Sequence, residues 1–595
     1  MACSSNIQPA TNKTTSMFEF FNRSKAQTIP ESVKKEQVEK DKEDIKKAYI
    51  DKTPIYTQNG EYKEDGNFYK GKLVIIDFIL YFFPTENSEK KLPYTKEYFI
   101  IPVFSIKKIE GIDNFKEIKI TTKDYRELTF VTSNFYLHDK LRGLAFPNFL
   151  SGYHEFALAY GKESKEIYKI DGWHLFDLSI ECLREGITDL YRITDANVNY
   201  NLCETYPKYL VIPSGFEEKY LNQCSEFRSL NRFPVLTYFY KYKNSSLWRS
   251  SQCLKGLTLK SSEYEKNYFH EMSKETQNLI IYDARPYLNA VANSLKGAGI
   301  ESKSDYDFCQ DIKYCDIENI HNVRSSLKKS LFLFKSYNDS DAKKFYSKFE
   351  QAKWLDYISS IIKASVDISD SMKEKRTVLV HCSDGWDRTT QLCSVVQILL
   401  DSYFRTLEGF CILIEKEWVS YGHQFAIRCG NDSRKDKRKL MSPIFIQFLD
   451  VVYQIMIQFP TAFEFRTNLL TFLSNEIYSC KYGTFLFNSQ KEIENSQAKN
   501  KMISIWSEIL LQRKIYYNPL YLENKYPLVP RSDPPNLKIW VEFFFKYDKG
   551  GCEKEVLESC NKHYNALENM IQVLKEQGMF DKLTKDTQTY LKNNF

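Results

Sequence analysis

The pattern of apolar and polar positions divides the chain into stretches of different character. Residues 1–60 are polar, with a run of Lys and Glu from Glu31 to Lys47, and this composition predicts a disordered arm. From Phe68 onward, short β-rich runs alternate with polar turns, and a helical segment near Tyr160 closes the unit; the runs are Lys72–Phe83, Glu97–Ile109, Phe115–Thr122 and Arg126–Thr132. Several strands with one closing helix predict a small β-barrel in residues 61–165, which would serve either for docking or as a scaffold.

Residues 170–550 combine apolar strand patterns with apolar positions at helical spacing. The most informative segment begins with the β-branched run Thr377–Val380, which predicts a buried strand. It ends with an apolar pattern at helical spacing, formed by Leu392, Val395, Val396, Leu399 and Leu400. A strand, a short loop and a helix in succession are typical of an α/β domain.

The last stretch, residues 551–595, is helical in pattern. Its apolar positions alternate three and four apart, as in a heptad seam: Leu557, Cys560, Tyr564, Leu567, Ile571 and Leu574. The seam is shorter than three heptads, so it predicts either a short coiled coil that dimerises the chain or an amphipathic helix lying on its own domain.

The loop between the strand and the helix, Cys382–Arg388, carries the candidate chemistry, and we call it the anion loop. A tight loop that leads into a helix points backbone N–H groups into one concavity, where the helix dipole adds positive potential. That field would lower the pKa of a thiol at the lip of the concavity, and the planar guanidinium of Arg388 could bind two phosphate oxygens. The alternative is an ordinary buried loop with a chance Cys and Arg spacing. The presence of His381 and Thr389 beside the loop argues against it.

Composition narrows the class of protein. A chain of 595 residues exceeds what one core supports, so more than one domain is expected. The 83 basic and 77 acidic residues give a net charge of +6, too small over this length to predict a nucleic-acid partner.

The 14 cysteines show no CxxC spacing, so a zinc site is not expected. No signal peptide or membrane span is evident, because apolar runs such as Leu73–Phe83 are short; we expect a cytoplasmic protein with reduced thiols.

The segment HCSDGWDRT at His381–Thr389 resembles the active-site signature of the myotubularins, which are phosphoinositide 3-phosphatases of the cysteine-dependent phosphatase superfamily. The similarity extends from Gly172 to about Asp548, and it includes Arg192–Thr194, Cys203–Pro207, Arg232–Leu236 and Leu247–Gln252. It implies an α/β (α+β) multidomain protein. A PH-GRAM-like barrel would occupy residues 61–165, and a phosphatase domain with a central twisted mixed sheet flanked by helices would occupy residues 170–550.

The resemblance also implies roles for residues. Cys382 would attack phosphorus, and the N–H groups of residues 383–388 with Arg388 would hold the phosphate. The residues expected at the substrate are Asn293, Asn319, Ile320, Ser383, Asp384, Gly385, Trp386, Asp387, Arg388 and Arg428. Asn319 could equally be a helix N-cap, and Trp386 could be a simple wall. The histidine two residues later, His321, is expected to be a satisfied core residue.

The leaving oxygen of the substrate needs a proton, and three carboxylic acids are candidates. We expect Asp387 to be the donor, with Asp283 as the second choice, and Asp384 to shape the loop or to bind a ring hydroxyl. An acid among phosphate ligands is repelled unless it is protonated, and the protonated form is the donor required.

Family members that act on the 3,5-bisphosphate carry two basic residues four apart after the catalytic helix. This chain has Gln424 and Arg428 at those positions, so one cation is missing and a preference for the bisphosphate is in doubt.

We therefore expect a phosphoinositide 3-phosphatase that acts on phosphatidylinositol 3-phosphate through a cysteinyl-phosphate intermediate, with phosphatidylinositol 3,5-bisphosphate left open as a second substrate. It would work at a membrane surface, on endosomes, without a metal or cofactor. A second hypothesis is a protein-tyrosine phosphatase, since the same loop would serve. A third is an inactive membrane-trafficking scaffold, although inactive relatives lack the nucleophile or the loop arginine. The C-terminal helix could join two copies of this chain or two different chains.

Overall fold

A five-stranded mixed sheet carries the segment that the sequence singles out. The computed structural model describes residues 53–64, 66–85, 99–133, 135–164, 168–255, 262–294, 299–306, 308–335, 342–432, 434 and 436–544. The predicted N-terminal arm up to residue 52 and the heptad seam of residues 551–595 lie outside the described residues. The sheet order is β10 (Val235–Tyr240), β11 (Ser245–Ser251), β14 (Thr377–Cys382), β12 (Leu279–Asp283) and β13 (Cys309–Tyr314), so β14 lies at the centre.

The central strand β14 runs parallel to both of its neighbours, β11 (Ser245–Ser251) and β12 (Leu279–Asp283). All six residues of β14 are buried, as expected for a continuous apolar run in a parallel arrangement covered by helices. Helices α9 (Trp354–Lys373) and α10 (Arg388–Leu400) pack against the sheet and against each other. The prediction of a central mixed sheet flanked by helices is therefore confirmed.

The remaining elements have the following bounds. The other strands are β1 Tyr56–Glu64, β2 Asn67–Ile76, β3 Ile79–Pro84, β4 Phe99–Pro102, β5 Ile106–Ile112, β6 Glu117–Thr122, β7 Glu127–Val131, β8 Tyr191–Thr194, β9 Leu210–Pro213, β10 Val235–Tyr240 and β13 Cys309–Tyr314. The helices up to α8 are α1 Tyr136–Ala145, α2 Glu155–Ser164, α3 Leu178–Glu185, α4 Leu221–Glu226, α5 Glu263–Ser273, α6 Tyr287–Ser294, α7 Ile320–Lys335 and α8 Ala342–Ala352. The helices after α10 are α11 Leu407–Ile414, α12 Phe425–Arg428, α13 Ile444–Gln458, α14 Thr467–Glu476, α15 Gln490–Asn495, α16 Ala498–Lys501, α17 Ile505–Leu511, α18 Arg513–Tyr516 and α19 Val541–Phe544, with a π-helical turn at Glu415–Ser420.

The N-terminal unit is an open antiparallel sheet of seven strands in the order β4-β3-β2-β1-β7-β6-β5. The predicted closed barrel is not confirmed, because β4 and β5 form the two edges and do not pair within the described residues. The two edges are consecutive in the chain and are joined by the short turn Val103–Ser105. Strand β4 is only four residues long and ends at Pro102, which has no N–H to donate to a further ladder bond.

The strands of this unit also differ from the sequence pattern in their bounds. Strand β1 begins at Tyr56, so it crosses the predicted boundary at residue 60. The single predicted run Lys72–Phe83 belongs to two strands, β2 and β3, which are joined by a turn with positive φ at Asp77 and Phe78. Helix α1 was not predicted; Leu137, Leu141 and Ala145 on its inner face lie in the core of the sheet unit.

Several side chains connect the N-terminal unit with the rest of the described chain. Lys123, which follows β6, is buried and donates a hydrogen bond to Asn431, three residues after Arg428. The Tyr160 and Tyr482 rings meet edge to face with their centroids 5.7 Å apart. These contacts favour the scaffold role among the two that the sequence left open.

One segment, Lys437–Gln458, has the length and the apolar composition of a membrane-crossing helix. However, 83% of its most apolar window is buried inside the fold. Its helical part, α13, therefore behaves as a core helix.

Truncation of one buried side chain in the central strand, Leu379, tests this architecture. Leu379→Ala should lower the free energy of unfolding by about 2–5 kcal/mol, because Leu379 is fully buried beside both neighbouring strands. Leu183→Ala is the matched control. Leu183 is 83% exposed, so this change should cost less than about 0.5 kcal/mol. Chemical denaturation of both variants provides the measurement, and equal losses would contradict the assigned position of β14.

Candidate active site

Three parallel strands end at the same edge of the sheet, and the anion loop begins there. Cys382 is the last residue of β14, and its register partner on β11 is Ser251. On the other side, Asp283 at the end of β12 is the partner of His381. The carboxyl ends of parallel strands are where α/β domains place their ligands.

The turn at Gly385 brings a backbone amide to the sulfur. Gly385 has a φ of +77°, and a Cβ built there would lie 2.6 Å from the carbonyl oxygen of Ser250. Its N–H donates a hydrogen bond of 3.3 Å to Cys382 Sγ. A donor aimed at the sulfur stabilises a thiolate, the form that acts as a nucleophile. The Cys382 side chain is 2% exposed, so its sulfur lies at the bottom of the loop.

Two buried arginines fix the peptide that follows. Arg232 Nη2 and Arg249 Nη2 both donate to the Gly385 carbonyl oxygen, at 3.0 and 2.9 Å. Arg249 also binds Thr390 Oγ1 at 2.7 Å and Glu417 Oε2 at 2.6 Å. Since C=O and N–H point in opposite directions across a trans peptide, holding this carbonyl outward turns the next N–H inward.

Arg388, the first residue of α10, lies over the same loop. Its guanidinium donates to Ser383 Oγ and to the Ile317 carbonyl oxygen, each at 3.2 Å. The Ile317 bond brings the start of α7 to the site, where Asn319 Oδ1 accepts the His321 N–H at 2.9 Å as the helix cap. The Ile320 carbonyl accepts a bond of 2.7 Å from Ser442 Oγ.

Asp387, the expected proton donor, forms a two-point ion pair with Arg428. Arg428 Nε and Nη2 contact the two carboxylate oxygens at 3.1 and 2.7 Å, and His423 Nδ1 lies 3.2 Å from Oδ1. Burial opposes ionisation, but Arg428 and His423 outweigh it and hold the pKa of Asp387 well below its usual range. The third donor of Arg428, Nη1, binds the Leu440 carbonyl at 3.1 Å.

Asp283, the second expected donor, is paired as well. Arg285 contacts its oxygens through Nε and through Nη2, the latter at 2.7 Å. Behind it, Glu301 contacts Arg228 Nη1 at 2.7 Å and His381 Nε2 at 3.1 Å. Burial raises the pKa of Glu301, but His381 and Arg228 outweigh it and lower the pKa overall. The side chains of Asp283, Glu301 and His381 place possible metal-ligand atoms within 4.8 Å of one another. The pairing of Asp283 with Arg285 and of Glu301 with Arg228 explains why the two carboxylates can lie this close together.

The other predicted residues differ in position. Asp384 is half-buried at the mouth of the loop. Trp386 is 7% exposed and its ring lies 5.6 Å from the Arg232 guanidinium, so it forms part of the wall. Asn293 lies at the end of α6, and its side chain is outside the described residues. His321 is exposed at the start of α7, so the prediction of a core histidine was wrong.

Comparisons with known proteins agree with this geometry. The family model for the myotubularin-like phosphatase domain matches residues 155–494. This chain belongs to the myotubularin family.

Individual relatives extend the match to most of the chain. Myotubularin of Xenopus laevis is 36% identical over 497 residues, which cover 80% of each chain. Phosphatidylinositol-3,5-bisphosphate 3-phosphatase MTMR2 of Mus musculus is 34% identical over 503 residues, covering 80% of this chain and 75% of its own. The MTMR6 enzyme of Homo sapiens with the same activity name is 36% identical over 447 residues, covering 73% and 69%.

The structure also shows positioning residues that the sequence analysis did not assign. Arg232 and Arg249 were recognised only as parts of similar segments, yet both hold the anion loop. Arg249 lies in the strand Ser245–Ser251, all of whose residues are buried, and a buried guanidinium needs fixed partners. The polar sequence SSLWRSS does not indicate that burial, so it gave no signal for Arg249. His423, whose Nδ1 lies 2.8 Å from the Trp386 carbonyl oxygen, gave no signal either.

The turn at Gly385 can be tested against a glycine of the same conformation. Gly385→Ala should lower hydrolysis of a small aryl phosphate about 100-fold, because the added Cβ must displace the loop from Ser250. Gly66→Ala is the control, since Gly66 has a φ of +76° with nothing within 4 Å of a built Cβ. It should keep its activity. A similar loss in Gly66→Ala would show that activity falls through general destabilisation by an alanine at positive φ, and not through the close approach of the anion loop to Ser250.

Proposed function

We propose that this chain is a phosphoinositide 3-phosphatase that removes the 3-phosphate of phosphatidylinositol 3-phosphate through a cysteinyl-phosphate intermediate. One observation carries the proposal. Cys382 Sγ accepts a backbone N–H of the anion loop, at the start of a helix whose first residue, Arg388, folds back over that loop. Family membership supplies the substrate class, because the relatives MTMR2 and MTMR6 are named phosphatidylinositol-3,5-bisphosphate 3-phosphatases.

The mechanism follows from the positions of donors and nucleophile. The phosphate enters the concavity, and its oxygens accept hydrogen bonds from the N–H groups of residues 383–388. The Cys382 thiolate attacks phosphorus in line, the S–P bond forms and the P–O bond to the inositol breaks. Arg388 exchanges its bonds to Ser383 and Ile317 for two equatorial oxygens, whose charge grows in the transition state. Water then attacks phosphorus and releases the Cys382 thiolate.

The described pairing of Arg428 favours the monophosphate as the main substrate. Arg428 is 5% exposed, and each of its three guanidinium nitrogens already donates a hydrogen bond: Nε and Nη2 to Asp387, and Nη1 to the Leu440 carbonyl. Gln424, the neutral residue one turn earlier, offers no charge. A second phosphate on the inositol ring would therefore meet one neutral amide and one cation that is already neutralised.

The N-terminal seven-stranded sheet with its packed helices is proposed to be a PH-GRAM-like unit. The buried hydrogen bond from Lys123 to Asn431 supports the scaffold role, in which this unit packs against the phosphatase domain. Because the substrate class is a membrane lipid, we further propose that the protein works at the cytoplasmic surface of endosomal membranes, and that residues 551–595 join two chains.

A panel of phosphorylated inositol lipids tests the proposal. Phosphate release should be fastest from phosphatidylinositol 3-phosphate, and Cys382→Ser should abolish it. Gln424→Arg should selectively raise turnover of the 3,5-bisphosphate about 10-fold or more, because a charge-assisted bond contributes about 1.5–3 kcal/mol. Gln424→Lys and Gln424→Leu are the matched variants: a gain with Lys and none with Leu would assign the effect to charge.

Three outcomes would contradict the proposal. A strong preference for phosphotyrosine peptides over lipids would indicate a protein phosphatase. No turnover of any substrate by the intact chain would indicate a scaffold. Lipid cleavage by Cys382→Ser would exclude the covalent intermediate.

A further inference from the structure

The reaction proposed above needs an acid that the expected residues do not provide. An inositol alkoxide is a poor leaving group, so a positioned acid must protonate the oxygen as the P–O bond breaks. Three carboxyl groups lie at or beside the anion loop: Asp283, Asp384 and Asp387. Their hydrogen-bond partners distinguish them.

Asp387 and Asp283 are both engaged by two-point contacts with arginine. Both oxygens of Asp387 are bound by Arg428, and Oδ1 also lies 3.2 Å from His423 Nδ1. Both oxygens of Asp283 are bound by Arg285. A guanidinium has only donors, so a carboxyl proton could not share these contacts without breaking them. Neither group is arranged to carry a proton to the substrate.

Asp384 has the opposite surroundings. Within the described part of the chain, no hydrogen bond or ion pair engages its carboxyl group. It lies two residues after the nucleophile and is half-buried, whereas Asp283 and Asp387 are buried. The charged groups that face it are the Asp387 carboxylate and the guanidiniums of Arg428, Arg388 and Arg232. Burial and the Asp387 charge raise the pKa of Asp384, and the three arginines only partly offset this.

We propose that Asp384 is the general acid of this phosphatase, a catalytic role that rests on the function proposed above. In the first step the Cys382 sulfur bonds to phosphorus, the P–O bond breaks, and the Asp384 proton moves to the leaving oxygen. In the second step the Asp384 carboxylate takes a proton from the attacking water, the S–P bond breaks, and inorganic phosphate leaves. Asp384 thus ends the cycle protonated, and the thiolate is regenerated.

Asp387 then acts as a positioning residue. Its fixed negative charge holds Arg428 and His423, and His423 in turn contacts the carbonyl of Trp386. The same charge disfavours ionisation of Asp384 nearby, which keeps the proton available.

The experiment compares leaving groups, because a general acid matters only when the leaving oxygen is basic. The kcat/KM values of the intact chain are measured for aryl phosphates from 4-nitrophenyl to unsubstituted phenyl, and for phosphatidylinositol 3-phosphate. For each substrate, kcat/KM reports on the steps from binding up to the release of the leaving group. Asp384→Asn should lose about 100-fold with phenyl phosphate and with the lipid, and far less with 4-nitrophenyl phosphate. The alkaline fall of the pH profile, where Asp384 loses its proton, should disappear in this variant.

Asp387→Asn is the matched control, and Asp384→Glu tests rescue. All variants are compared at a pH below the alkaline fall of their own profiles, where Asp384 carries its proton. There Asp387→Asn should lower kcat/KM for all substrates by similar factors, since it disturbs Arg428 and does not remove the acid, while its alkaline fall should move to lower pH. Asp384→Glu should recover part of the activity with phenyl phosphate. Thermal unfolding of each variant verifies that it is folded.

Two results would overturn the assignment: an unchanged dependence on the leaving group in Asp384→Asn, or a steeper one in Asp387→Asn. The aryl phosphate series separates this from a failure of the proposed function. If the wild-type chain cleaves aryl phosphates and no inositol lipid, the substrate proposal fails, and the comparison of the two asparagine variants still decides the acid.

Discussion

The close approach of the anion loop to strand β11 is the constraint on which the active site depends. At Gly385 the chain turns with a positive φ so near to Ser250 that a side chain would overlap the neighbouring carbonyl. This turn aims the Gly385 N–H at the Cys382 sulfur and presents the Gly385 carbonyl to Arg232 and Arg249. The strand register positions the loop, and the hydrogen bonds from Arg232 and Arg249 keep the peptide after Gly385 from flipping.

Charge compensation explains how so many ionic groups remain buried around this turn. Arg228, Arg249 and Arg285 are fully buried, and each is paired with a carboxylate: Glu301, Glu417 and Asp283 respectively. Buried ion pairs of this kind contribute little to the free energy of folding, because the cost of desolvating the charges cancels much of their attraction. Here they determine geometry, since each pair holds a strand end or a loop carbonyl in position. Asp384 differs from the other acids near the loop, because its half-buried carboxyl forms no ion pair with any residue that the structure describes.

Local patterns in the sequence were sufficient for the centre of the fold. The run Thr377–Val380 and the helical spacing from Leu392 onward each reflect the burial of one element, so strand, loop and helix could be predicted in order. The N-terminal sheet shows the limit of such patterns. The run Lys72–Phe83 is apolar on both sides of Asp77 and was therefore taken as one strand, which hid the turn there, and whether a sheet closes depends on pairing between its edge strands, which no periodicity encodes.

The candidate site shows the same limit. Cys382 and Arg388, the proposed nucleophile and phosphate-binding arginine, lie within one short motif, so both could be proposed from its spacing and its family resemblance. The pairing of Asp387 with Arg428 joins residues 41 positions apart, and no periodicity encodes it. Without that pairing Asp387 was a natural choice for the acid, and Arg428 a natural ligand for a second phosphate. Both expectations depended on side chains being free, which is a property of packing in three dimensions.

A crystal structure with orthovanadate bound is the most direct test of the central claim that Cys382 and Arg388 share one phosphate site. The account predicts vanadium bonded to Cys382 Sγ, with the N–H groups of residues 383–388 donating to its oxygens. Arg388 should leave the Ile317 carbonyl and bind two equatorial oxygens. Vanadate bound away from this loop, or bound there while Arg388 keeps its contact with Ile317, would contradict it.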